Sequence, residues 1–195
     1  MDLNDDFLNE LLGAVGAHLA AADAPCAIVV VGGANLAIRQ LVERTTKDVD
    51  VIARAVEDAS GMHLVPPEPF PAALQEAVAR VARDFGLALD WLNAVVGSQW
   101  RAGLPPDLES DLSWREYSAL RVGYVGRSTL VALKFFAAVD QGPASIHWQD
   151  LLRLSPSDEE IAQAVEWVGG QDAGVEFGDL VEQARDRLRR DLERR

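Results

Sequence analysis

The 195-residue sequence predicts a mixed α/β (α+β) fold, a sheet flanked by helices up to about residue 125 and a helical C-terminal part over 126–195. Three observations carry that prediction. Ile28–Val31 is an unbroken β-branched apolar run, the mark of a short buried strand. It stops at Gly32-Gly33, after which Leu36, Ala37, Leu41 and Val42 recur at helical spacing over 34–42. Past residue 126 the chain reads as successive amphipathic helices with short polar breaks.

Before the first strand, residues 6–22 place Phe7, Leu8, Leu11, Leu12, Val15 and Leu19 on one stripe, a helix that packs on the sheet and ends at Asp23-Ala-Pro25. Residues 54–70, with Pro66, Pro67 and Pro69, read as an irregular loop. Helix follows over 72–85, with Leu74, Val78, Val81 and Phe85 inward. Gly86 introduces Leu-Ala-Leu-Asp-Trp-Leu-Asn over 87–93, expected as a third strand, in which Leu87, Leu89 and Trp91 share a face and Asp90 takes the other. Residues 94–119 give little regular signal, and Leu120–Val125 alternates as a strand expected at the sheet edge. A helix over 128–139 opens at Ser128 or Thr129, and Ser157 with Glu160 has capping-box spacing ahead of another. Phe177 to the end forms the last helix, with Leu180, Val181, Ala184 and Leu188 inward.

Composition narrows the function classes. An apolar content of 49% belongs to a folding chain, and from the acidic, polar start no signal peptide is expected. No apolar run reaches the roughly 18–20 residues of a membrane span, so no membrane partner is expected. A single cysteine, Cys26, cannot form an internal disulfide, which makes a reducing cytoplasm the expected location. A net charge of −13 opposes broad nonspecific binding to nucleic acid. The end, residues 185–195, runs against that trend with six arginines to three acids, either a contact for RNA or an acidic partner, or a solvated helix end whose cations suit the helix dipole. Of 18 basic residues only Lys47 and Lys134 are lysines, which singles both out. His18 and His63 lack partners at metal spacing and read as ordinary structural histidines.

The chemistry concentrates at Asp48–Ile52. As a strand, Asp-Val-Asp-Val-Ile points Asp48 and Asp50 to one face and Val49 and Val51 to the other. Two like charges roughly 7 Å apart repel, and a stability argument alone would not choose them. A pair of divalent ions, held about 3.5–4 Å apart to clamp a phosphoryl group, would explain them.

Strand, glycine pair, helix and Asp-x-Asp strand together resemble the nucleotidyltransferase superfamily of DNA polymerase β type. The similarity is greatest to its minimal bacterial branch, including the AbiEii-like toxins of toxin–antitoxin and abortive-infection systems. That branch carries a glycine pair, a helix and an Arg-x-Ser/Thr-x-Asp-hydrophobic-Asp run, filled here by Gly32, Gly33, Arg44, Thr46, Asp48, Val49 and Asp50. The resemblance implies a mixed nucleotidyltransferase sheet over 1–125, with 126–195 closing one side of the cleft. It implies NTP as substrate and Mg²⁺ (or Mn²⁺) held by Asp48 and Asp50. Gly32 and Gly33 would admit phosphates close to the backbone, with Arg44 and Thr46 on phosphate oxygens. The superfamily's third carboxylate falls on a hydrophobic-Asp-hydrophobic strand, which points to Asp90 as a metal ligand; the alternative is an Asp90 that caps a turn. The branch also carries a lysine on a helix after the core and an aspartate on the next helix, positions matched by Lys134 and Asp150. A lysine alone in that apolar stretch needs a carboxylate or phosphate partner, or else snorkels to water. Asp90 or Asp150 could take the acceptor's proton. In the resembling toxins the acceptor is often the 3′ end of tRNA and the protein partner a cognate antitoxin. Two other classes fit the same residues: an adenylyltransferase acting on a small molecule or a protein, and a catalytically inert binding module of the same fold.

Overall fold

The computed structural model describes residues 2–42, 45–59 and 61–195. Its fold is α+β, a six-stranded mixed sheet with helices packed on it and a run of helices at the C-terminal end. The chain divides into two compact units, one of residues 1–101 and 111–125, the other of residues 102–110 and 126–195.

The first unit holds the whole sheet. It comprises α1 (Asp5–Ala21), β1 (Cys26–Val31), α2 (Gly32–Ile38), β2 (Val49–Asp58), β3 (Gly61–Val65), α3 (Ala72–Phe85), β4 (Leu92–Asn93), a 3₁₀ turn (Val95–Arg101), β5 (Leu112–Tyr117) and β6 (Leu120–Val125). Strand order is β3-β2-β1-β6-β5, with β4 added beside the start of β2. The β1–β2, β2–β3 and β5–β6 pairs are antiparallel; β1–β6 and β2–β4 are parallel. One sheet face is dry. Ile28, Val30, Val49, Val51 and Val122 meet Leu8, Leu11, Leu12 and Val15 of α1 and Leu74, Val78 and Val81 of α3 there. Burying such side chains is worth roughly 1.5–3 kcal/mol each, which fixes which face of β2 turns inward. Close approach is built in as well: a Cβ on Gly16 of α1 would overlap the Tyr117 carbonyl oxygen.

Several expectations are corrected. β2 continues to Asp58 and returns as β3, where the sequence reads as loop. Gly61, Met62 and His63 of β3 face solvent and Leu64 is buried, so the strand carries no apolar alternation. His63 sits on β3 beside Asp58, 3.7 Å away. The expected strand over 87–93 shrinks to Leu92–Asn93, with residues 86–91 turning toward it and Leu89 71% exposed. The apolar residue of that stretch that does go inside is Trp91, whose indole N–H donates to the Val78 carbonyl at 3.2 Å. β6 lies inside the sheet rather than at its edge, because the unforeseen β5 pairs along its outer side. β5 hides in the sequence since its Ser-Trp-Arg-Glu run is mostly polar, although Trp114 packs on Gly123 with Arg121 stacked 4.5 Å from its ring centre.

The second unit is helical: α4 (Arg127–Gln141), α5 (Ile146–Leu154), α6 (Asp158–Gly169) and α7 (Val175–Glu193). Gly126, not Ser128 or Thr129, is the N-cap of α4, so that helix begins one turn earlier than its hydroxyls suggest. The Ser157–Glu160 capping box forms as the spacing predicts, each side chain bonded to the other's backbone N–H. In α7 Val181 and Leu188 are buried, whereas Leu180 is 50% exposed. Among the described residues no helix is long and apolar enough to cross a membrane.

Candidate active site at the carboxylate rim of the sheet

The rim begins where β1 ends. Val31 is extended, and Gly32 then takes φ +70°, a left-handed turn that only glycine adopts at little cost. Val31 stands opposite Asp50 in the antiparallel register. The Asp50 carboxylate rests against the bare Cα of Gly32. A Cβ there would overlap Asp50 Oδ2 and come within 3.3 Å of its Cγ. Gly32 therefore serves two ends, the turn and the seat of a carboxylate. Asp50 and Asp48 are half-buried, while Val49 and Val51 between and beyond them are fully buried. The apolar pair is thus what aims the acids outward.

Thr46 is buried and its main chain pairs with that of Leu3, by Leu3 N–H to Thr46 O at 2.7 Å and Thr46 N–H to Leu3 O at 2.9 Å. Its hydroxyl donates to the Asp48 carbonyl at 3.1 Å and lies 3.4 Å from Asp48 Oδ1. In this state it orients the aspartate. Arg44 lies outside the described residues.

Two rim residues carry more weight than their sequence context suggests. Asn35, fully buried on α2, donates to the carbonyls of Val30 at 2.9 Å and Val125 at 3.3 Å, bridging the ends of two parallel strands. A lone amide inside Gly-Gly-Ala-Asn-Leu-Ala-Ile is the signal that marks it. Arg39 joins it on the Val125 carbonyl at 2.7 Å. Asn93 stands beside Asp50 in the parallel β2–β4 pair. Asp90, by contrast, occupies an exposed turn ahead of β4, where its carbonyl accepts from Asn93 Nδ2 at 3.4 Å. The strand alternation on which Asp90 was expected to face the other carboxylates does not form.

Hard carboxylate oxygens at this rim suit Mg²⁺ or Mn²⁺, and the bare Cα of Gly32 is what lets Asp50 Oδ2 stand there, since a Cβ would overlap it. Among the described residues no three His, Cys, Asp or Glu side chains form a cluster that could hold an ion alone. Two carboxylates are a donor type that suits Mg²⁺, which commonly takes further ligands from phosphates.

In the second unit Lys134 and Asp150 meet as an ion pair, Nζ to Oδ2 2.7 Å, with the lysine residue 5% and the aspartate 0% exposed. Arg127 gathers three helices nearby in sequence. It bonds Glu160 at 2.7 Å and the Leu154 and Ser155 carbonyls at 2.6 and 3.2 Å, tying the ends of α5 and α6 to the start of α4. Burial alone would raise the Glu160 carboxyl, but the Ser157 backbone N–H and the Arg127 guanidinium outweigh it and hold it below the ordinary glutamate value. The basic end of the chain is engaged inside this unit. Arg185 pairs with Glu182 and Asp186, Arg189 with Asp158 at 3.1 Å, and Arg195 with the Leu152 carbonyl. Arg187 pairs with Asp191 at 3.6 Å, and that aspartate also accepts from the Trp148 indole.

No family model matches the sequence, and no curated protein does. Among solved structures, an antigenic nucleotidyltransferase-like protein from Paracoccidioides brasiliensis aligns over 99% of this chain and 95% of its own, at 13% identity and a TM-score of 0.45.

Proposed function

We propose that this chain is a metal-dependent nucleotidyltransferase that moves a nucleotidyl group from an NTP to an acceptor hydroxyl and releases pyrophosphate. The observation that supports the reading most is the Asp50 carboxylate seated on Gly32 at the rim where β1 ends and β2 starts beside β4. Asp48 and Asp50 would hold Mg²⁺, and when bound that ion supplies charge neutralisation on the phosphates and a more acidic acceptor hydroxyl. The turn at Gly32-Gly33 lets phosphate oxygens approach the backbone without meeting a side chain. Thr46 fixes Asp48, and Arg44 is the side chain proposed for the phosphates. The acceptor oxygen attacks the α-phosphorus, the bond to the leaving pyrophosphate breaks, and the acceptor proton passes to a carboxylate or to water. Lys134 and Asp150 are a further proposed pair for this chemistry by resemblance; their burial together also suits a purely structural role.

By the same resemblance the acceptor is the 3′ end of a tRNA, and the protein a toxin restrained by a cognate antitoxin. A second reading has an observation in its favour. The arginines of the basic end are largely occupied within the protein, and the net charge of −13 suits a cationic small molecule or a protein hydroxyl better than RNA.

One assay separates these. Purified protein is incubated with each α-³²P-labelled NTP and Mg²⁺ in the presence of total RNA, an aminoglycoside, or neither. A labelled tRNA-sized band supports the toxin reading; labelled aminoglycoside or labelled protein supports the second. Asp48→Asn and Asp50→Asn should each reduce transfer by ~10³-fold in protein that is still folded by its melting curve. Wild-type rates in the double variant would remove the carboxylate rim from the reaction.

A further inference from the structure

We infer that Asn93 is the third wall of the carboxylate rim, and that its amide leaves the site able to retain a divalent cation only together with nucleotide phosphates. The inference rests on the nucleotidyltransferase reading and describes how that site takes its metal.

The geometry comes from the sheet. Leu92 and Asn93 pair in parallel with Val49 and Asp50, residue for residue. Register partners in a parallel pair point to the same face, with their strands about 4.8 Å apart. Leu92 and Val49 bear this out, since both are buried in the core cluster. Asn93 and Asp50 therefore share the opposite face, and both are half-buried. The Asn93 side chain is held in place: its Oδ1 accepts the Val95 N–H at 3.1 Å and its Nδ2 reaches the Asp90 carbonyl at 3.4 Å.

A carboxylate at that position would stand one strand spacing from Asp50 and give the rim a third anionic ligand. Among the described residues the amide instead leaves two carboxylates, Asp48 and Asp50, and an oxygen already committed to a backbone N–H. Mg²⁺ gives up its water reluctantly and is normally held by one or two carboxylates plus substrate phosphates. Two carboxylates alone retain it weakly. The nucleotide then completes the ligand set, so cation and NTP are gained and lost together. Such a protein rests metal-free between turnovers.

The test reads metal binding rather than turnover. Free Mn²⁺ is followed by its electron paramagnetic resonance signal as wild-type protein, Asn93→Asp and Asn93→Asp/Asp50→Asn are titrated, all without nucleotide. Wild-type protein should bind Mn²⁺ only in the millimolar range. Asn93→Asp should bind about tenfold or more tightly, and adding Asp50→Asn should abolish the gain. A folded Asn93→Asp protein with wild-type affinity would overturn the inference. The wild-type arm needs no substitution: micromolar Mn²⁺ binding without nucleotide, lost in Asp50→Asn, would overturn it even if Asn93→Asp failed to fold. Transfer of label is measured separately. A gained Mn²⁺ site in Asn93→Asp with no transfer by wild-type protein would sink the proposed activity and leave this geometry standing.

Discussion

The molecule handles charge in two opposite ways. At the rim of the sheet two acids of like sign, Asp48 and Asp50, stand two residues apart and half-buried. In the helical unit Lys134 and Asp150, of opposite sign, are withdrawn from water and joined at 2.7 Å. In a buried pair of opposite charges each ion has its counter-ion in place, which offsets at least part of the desolvation cost. Two like charges at the start of a strand repel each other, and a cation would relieve that repulsion. The rim would gain from a cation, whereas the Lys134–Asp150 pair already holds its counter-ion.

The sharpest way to break that contrast is to cut the buried pair. Lys134→Met strands a carboxylate inside α5 and should cost about 3–5 kcal/mol, read as a fall in the urea midpoint; Lys134→Met/Asp150→Leu should recover much of it. Transfer activity of the double variant should then follow the folded fraction. A Lys134→Met protein that melts normally yet transfers ~10²-fold more slowly would move the lysine to the reacting phosphates and erase the distinction.

Gly32→Ala tests the other side. The left-handed backbone and the overlap with Asp50 Oδ2 should together cost ~1–3 kcal/mol, with a loss of transfer larger than the unfolded fraction accounts for. Unchanged transfer would show that the seat of Asp50 is packing and nothing else. The smallest effect is electrostatic and belongs to the helical unit. Glu160 has a folded-state pKa below its ordinary value, so its contribution is present above the unfolded value and is lost as pH falls through the folded one. The difference in stability between wild-type and Glu160→Gln should be constant above about pH 5 and shrink on acidification below about 4.3. A difference that grew on acidification would contradict the Arg127 and Ser157 contacts.

How legible each region was follows from the same physics. Ile28–Val31, the glycine pair and α3 declare themselves because buried strands and two-faced helices leave periodic apolar signals. Asp48 and Asp50 stood out for the inverse reason, as charges where periodicity called for none. β3 and β5 were hidden because edge strands hold their place by backbone bonds, which any side chain permits. The misreading of residues 87–91 as strand has a similar origin. Alternation in Leu-Ala-Leu-Asp-Trp-Leu-Asn reads as strand, but pairing partners lay only beside its last two residues, and the rest turned. Asn93 gained its significance from register with Asp50, a relation between residues 43 positions apart that no local pattern encodes.

The parallel pairing of β1 with β6 also sets a timetable. β1 ends at Val31, yet the strand that lies beside it, β6, is completed only at Val125. Asn35 and Arg39, which border the carboxylate rim, both take hold of that last carbonyl. Closing so long a stretch of chain comes late in folding, because its entropy must be lost before the contacts return anything. On the ribosome, at roughly 5–20 residues per second, the glycine pair and both aspartates would emerge seconds before the strand that lies beside β1. A nascent chain stopped short of β6 thus carries every rim acid and no finished site.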